Sequence, residues 1–128
     1  MEVILDTNFL LSCVKQKIDL FEQIESIFPG AELVVPKQVI EELETLKNRR
    51  ELKVKERESA YIALQLIEKN IKKIKILEFE GGADRVIMNY SLSNKNIVVA
   101  TLDGGIKKHL KNKVKLLSIR SKKRIVVI

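Results

Sequence analysis

Cysteine occurs once in this 128-residue chain, at Cys13, and histidine once, at His109. A lone cysteine cannot pair within the chain, and no Cys/His spacing suggests zinc, so a reducing, cytoplasmic setting is expected. Apolar runs are short as well. None approaches the ~20 residues that a membrane span requires. The first residues carry Glu2 and Asp6 where a signal peptide would carry basic residues and then an apolar stretch, so a secretory leader is not expected. Linkers, repeats and low-complexity stretches are missing too, and the length favours one domain covering 1–128. A chain of this size buries roughly two-thirds of its unfolded surface and needs no staple to fold.

Acid is missing from one whole end of the chain. From Gly104 to Ile128 there is no Asp or Glu, while Lys107, Lys108, Lys111, Lys113, Lys115, Arg120, Lys122, Lys123 and Arg124 are basic. A second basic cluster, Lys47, Arg49, Arg50, Lys53, Lys55 and Arg57, is diluted by Glu51 and Glu56. Each cluster alone reads equally well as a solvated, lysine-rich surface. Set beside a net charge of +7, clustering at one end places nucleic acid ahead of other partners.

Five short Val/Ile/Leu runs punctuate the sequence: Val3 to Leu5, Leu33 to Val35, Ile74 to Leu77, Ile97 to Ala100, and Val114 to Leu117. The first, second and fourth are unbroken, as strands buried on both faces would be. The third and fifth each carry a lysine, which suits strands nearer an edge. The tail Ile125 to Ile128 reads either as a sixth strand or as an oligomer contact. Between the runs lie helical spacings. Asp19 with Glu22 forms a capping box, and Pro29-Gly30 stops the helix it begins. Pro36 opens another helix, whose face is Val39, Ile40, Leu43 and Leu46. Val54 to Lys69 has a wide apolar face that includes Tyr61, Leu64 and Ile67, Gly81-Gly82 opens a further helix, and a short one covers Ile106 to Leu110. Strands alternating with helices predict an α/β fold on a mostly parallel sheet of five, or six, strands covered on both sides.

Ligands of such sheets bind outside the carboxyl ends of the strands, where strand order reverses. Two aspartates fall there: Asp6 after Val3-Ile4-Leu5, and Asp103 after Val99-Ala100-Thr101-Leu102. Asp6 would serve equally as a helix cap, and Asp103-Gly104 as a turn. Helical phase puts Glu42 at the margin of its apolar face, Glu44 on the other margin and Glu41 toward solvent; an ordinary solvated glutamate fits Glu42 too. Asp84 sits in the first turn of its helix, where the helix dipole favours negative charge by ~0.3–1 kcal/mol. Four converging carboxylates need a counter-ion, and hard divalent cations with oxygen ligands, Mg²⁺ or Mn²⁺, supply it. Thr7, Asn8 and Thr101 offer neutral oxygens and amides to orient waters around such an ion.

The pattern resembles a PIN domain. The matching pieces are Leu5-Asp6-Thr7-Asn8, Val35-Pro36 through Glu41-Glu42-Leu43-Glu44, Gly82-Ala83-Asp84, and Val99-Ala100-Thr101-Leu102-Asp103. Their order covers almost the whole chain. The resemblance implies a three-layer α/β/α sandwich and Mg²⁺- or Mn²⁺-dependent cleavage of single-stranded RNA. It carries the catalytic and metal-ligating acids over to Asp6, Glu42, Asp84 and Asp103, with Thr101 as helper. Family members often add an acid beside the third or fourth of these; Arg85 and Gly104-Gly105 stand there instead. Two subgroups compete, VapC-type toxins held by an antitoxin and ribosome-processing nucleases with assembly partners. The stretch ending in Leu117-Ser118-Ile119-Arg120 leans to the second.

The expected function is therefore a metal-dependent endoribonuclease. Lys107, Lys108, Lys111, Arg120, Lys122 and Lys123 would grip phosphates of single-stranded or structured RNA, and His109 is expected mainly at the surface. A cleft completed by a second subunit would suit so small an enzyme, and no membrane partner is expected. The missing further acid points the other way, to a catalytically weak RNA-binding or scaffold protein. A phospho-accepting receiver-like domain would need paired acids after the first strand, where Thr7-Asn8 follow Asp6.

Overall fold

Each apolar run of the sequence is a strand in the computed structural model, which describes residues 1–121 and 123–128. The strands are β1 (Glu2–Leu5), β2 (Glu32–Pro36), β3 (Ile74–Leu77), β4 (Ile97–Ala100), β5 (Lys115–Arg120) and β6 (Arg124–Val127). Among the described residues, six α-helices join them: α1 (Thr7–Lys15), α2 (Leu20–Ile27), α3 (Lys37–Asn48), α4 (Val54–Lys69), α5 (Ala83–Ser93) and α6 (Gly104–Leu110). The strand order is β3-β2-β1-β4-β5-β6. β1 to β5 run parallel, and β6 returns antiparallel beside β5.

Alternation along the strands divides the interior in two. Val3, Leu5, Val35, Val98 and Ala100 face one side with Phe9, Leu20, Leu43 and Ala60 of the first four helices. Ile4, Val34, Val99 and Leu116 face the other with Val86 and Ile87 of α5 and Ile106 and Leu110 of α6. This is why the strand runs are continuous: both faces are covered, so every position is buried. Burying one such Leu or Ile contributes about 1.5–3 kcal/mol.

The helix signals act as expected. Asp19 caps α2 and accepts the Glu22 N–H at 3.1 Å. Gly30, in the left-handed region at φ 78°, turns the chain into β2. The tail is the sixth strand, and it moves β5 one place in from the edge; β3, as expected, is an edge strand. The apolar face of α4 is narrower than its spacing suggests. Ser59, Ala60, Ala63 and Ile67 are buried, whereas Tyr61 is 50% exposed and its hydroxyl accepts a hydrogen bond from Gln65. Small side chains let α3 approach α4 closely, which leaves Tyr61 outside the contact. Among the described residues, no helix is long and apolar enough to cross a membrane.

The chain leaves β1 toward β2 on one side, and returns from β3 to β4 on the other. Strand order therefore reverses between β1 and β4, whose register places Leu5 opposite Ala100. A crevice opens at that point outside the carboxyl ends of the strands.

Candidate active site

Asp6 occupies the crevice because β1 ends one residue earlier. Its backbone N–H still donates to Ala100 of β4 at 3.0 Å and its backbone stays extended, at φ −92°, while its side chain caps α1. The side chain is only 6% exposed. One carboxylate oxygen accepts the Thr7 N–H and the other accepts the Thr101 hydroxyl, both at 2.8 Å. Thr101 is fully buried, and its Oγ1 in turn accepts the Asp103 N–H at 3.1 Å. Thr101 thus ties the end of β1 to the turn after β4.

Asp103 caps α6, with Oδ1 accepting the Ile106 N–H at 2.9 Å. A Cβ added at Gly105 would stand 3.1 Å from that same Oδ1. The glycine therefore gives the Asp103 carboxylate room. Asp84 is exposed in the first turn of α5, whose N-cap is Gly82. Arg85 beside it is exposed and lies against Gly81.

The acids feel one another. Burial leads in pushing the Asp6 carboxyl above the usual carboxylate range; the bonds from Thr101 and Thr7 oppose it, and Asp84 and Asp103 add to it. Glu42 is likewise raised, first by burial and then by Asp6 and Asp84, with the Thr7 side chain opposing. Glu42 is exposed by overall area, so that burial is local to its carboxylate, against α1. The Thr7 hydroxyl is buried and makes no hydrogen bond of good geometry, though it stands near enough to Glu42 to favour its charge. Asp6 is the common neighbour of the other three.

Among the described residues no three acidic, histidine or cysteine side chains already stand as a closed set of metal ligands. Mg²⁺ does not require such a cage, because it keeps several waters and is bound through one or two carboxylates. The donor set is all oxygen and suits a hard divalent cation.

α3 supplies one wall of an open cleft of about 570 Å³, lined also by Thr7, Asn8, Gly82 and Ala83. Gln38, Glu42, Thr45 and Arg49, spaced by four, three and four residues, face it together. Glu41, which helical phase sends to solvent, is exposed but stands at the outer rim of the same cleft. Glu44 is not brought to the acids; it pairs with Lys47 at 3.0 Å. Gln38 carries no mark in the sequence and Arg49 stands there only as one of a basic cluster, although their spacing from Glu42 is the available signal. Gln38 donates to the carbonyls of Phe79 and Gly81, at 2.5 and 2.9 Å.

Of the basic residues, Lys107 is partly buried and donates to the Ser118 hydroxyl at 2.9 Å. Lys108, His109, Lys111, Arg120 and Lys123 are exposed. Lys122 lies outside the described residues. Arg120 stands directly opposite Arg124 across the β5–β6 pair, an unfavourable placement of like charges that an anion would relieve.

The family model described as "PIN like domain" matches residues 3–122. The chain belongs to that family. Ribonuclease VapC4 of Methanocaldococcus jannaschii is 35% identical over 125 residues, covering 95% of this chain and 92% of the relative. Among solved structures, the PIN domain endonuclease Utp24 superposes with a TM-score of 0.79 at 27% identity, covering 98% of this chain and 90% of that one. A domain of a functionally unknown protein from Methanocaldococcus jannaschii shares the fold, with a TM-score of 0.64 at 19% identity and coverage of 98% and 95%. The six-stranded, mostly parallel sheet is thus a PIN-like fold, and homology to a ribonuclease and an endonuclease implies a nuclease.

Proposed function

We propose that this protein is a divalent-metal-dependent endoribonuclease that cleaves single-stranded RNA, with Asp6, Glu42, Asp84 and Asp103 holding Mg²⁺ or Mn²⁺. The observation that carries this reading is the state of Asp6. It is buried at the strand-order reversal, anchored through both oxygens, and pressed by Asp84 and Asp103. A divalent ion bound there would offset that repulsion and lower the pKa of a coordinated water. Thr101 keeps Asp6 and Asp103 in a fixed relation through its two hydrogen bonds. Asp6 and Asp103 would hold the principal ion, and Asp84 and Glu42 would complete its shell or position the attacking water. Thr7 and Asn8 orient waters at the mouth of the cleft. Lys107, Lys108, Lys111, Arg120 and Lys123 grip phosphates beside the cut, and Lys122 belongs to the same basic run.

The test is cleavage of single-stranded RNA with Mn²⁺ by wild type and by Asp6→Asn. The expected outcome is loss of at least a hundredfold in rate; equal cleavage by both would sink the carboxylate mechanism. Likeness to Ribonuclease VapC4 supports a toxin-type role held by an antitoxin, and likeness to Utp24 supports ribosome processing with an assembly partner. A homodimer would complete the cleft in either role. One observation favours a second reading, a catalytically weak RNA-binding scaffold: Arg85 and Gly104-Gly105 stand where a further acid is common, and Gly105 is packed close to Asp103. RNA binding without measurable Mn²⁺ affinity would support that reading instead.

A further inference from the structure

We propose that the polar stripe of α3 is the track along which one arm of the RNA leaves the acids, with Arg49 gripping a phosphate beyond the cut. This rests on the nuclease reading above. Arg49 lines the same cleft as Glu42 and Thr7, and it does so from the far end of the helix. Seven residues separate it from Glu42, which is about 10 Å along the axis at a rise of ~1.5 Å per residue. That distance is spanned by about three stacked nucleotides at ~3.4 Å each, and by fewer when the strand is extended. Thr45, between Glu42 and Arg49 in the cleft lining, adds a neutral hydroxyl, as a backbone track requires where base identity is not read.

Arg49 is distinguished from its basic neighbours by position, since of that cluster it alone lines the cleft. Lys47 is engaged by Glu44 on its own helix. Among the described residues Arg49 pairs only with Glu51, at 3.4 Å, through side chains 47% and 74% exposed. So exposed a pair is weak and exchanges readily for a phosphate. The acid-free end of the chain lies across the sheet, on α6 and β5, so the two basic clusters flank the carboxylates from opposite sides.

The test measures RNA binding in the Asp6→Asn background, where no cleavage intervenes, by anisotropy over a range of salt and oligomer length. Arg49→Ala is expected to weaken binding roughly three- to tenfold and to make the log–log salt slope shallower by about 0.7, the value of one phosphate contact on a single strand. The loss should disappear for oligomers too short to reach from the cut to Arg49. Glu51→Ala should bind at least as tightly as its parent, and Lys72→Ala, just before the amino end of β3 and so away from the carboxyl-end crevice, should bind equally. Unchanged binding by Arg49→Ala, the same loss at every length, or an equal loss in Glu51→Ala would overturn the track. Cleavage by the otherwise wild-type protein is scored separately. A protein that cuts nothing removes the nuclease reading and leaves the binding result standing.

Discussion

Asp6 is held by two donors and repelled by two anions at once. The donors, Thr7 N–H and Thr101 hydroxyl, orient the carboxylate; burial, Asp84 and Asp103 make its charge costly. Its pKa is therefore higher in the folded protein than in the unfolded chain. A carboxyl shifted upward contributes stability that is complete below its unfolded value, near ~3.9, and is lost as pH rises through the folded value. At neutral pH the metal-free protein thus carries a net cost at Asp6. Asp6→Asn removes that cost; its Oδ1 still accepts the Thr7 N–H, while its Nδ2 donates to the Thr101 Oγ1 and so reverses the second bond. Thermal unfolding in chelator should show a higher Tm for the variant at pH 7, with the difference shrinking toward pH 4. A lower Tm at pH 7 would contradict the repulsion. Added Mn²⁺ should raise the wild-type Tm and leave the variant's nearly unmoved.

At the scale of elements, the site depends on how α5 is delivered. The loop from Glu78 to Gly82 joins edge strand β3 to α5 and has no strand partner of its own. Gln38, in the first turn of α3, donates to Phe79 and Gly81, and Lys37 pairs with Glu80 at 2.7 Å. These bonds tie the start of α5, and so Asp84, to the helix that carries Glu42. In Gln38→Ala the amide bonds are lost at a stability cost of about 1 kcal/mol. Hydrogen exchange should then quicken at residues 79–84, and Mn²⁺ affinity should fall several-fold. Unchanged exchange there would show that Lys37–Glu80 holds the loop alone. Most elements were legible in the sequence, since strand runs, the Asp19 capping box and Gly82 are all local signals. The exposed side of α4 was not, because Tyr61 and Ala60 are told apart only by which side of α4 the helices α1 and α3 cover.

At the scale of the molecule, the sheet is left with two edges, and one of them is capped. Gln23 of α2 donates to the Lys123 carbonyl at 3.0 Å and accepts the Ile125 N–H at 2.7 Å, taking the place of a further strand along β6. Gln23→Ala frees those groups on a strand that also exposes Val127, a template for edge-to-edge pairing. The expected outcome is concentration-dependent self-association in light scattering at micromolar protein, with wild type unchanged. Equal behaviour of the two would mean that the net charge of +7 alone keeps copies apart.

The sequence by itself determined the α/β class, five apolar strand runs, and the two aspartates that end β1 and β4, because each depends on neighbours in the chain; that the tail is a sixth strand was decided by its pairing with β5. It also placed Glu42 at the edge of a buried face, by helical phase alone. Tertiary structure decided what touches what. The order β3-β2-β1-β4-β5-β6 sets β1 beside β4, so that residues 6 and 101, far apart in sequence, share a hydrogen bond. It made Gly105 the residue that leaves Asp103 room, turned Glu44 away to Lys47, and put Arg49 in the cleft with Glu42. Such pairings depend on packing between elements, and periodicity along one element carries no record of them.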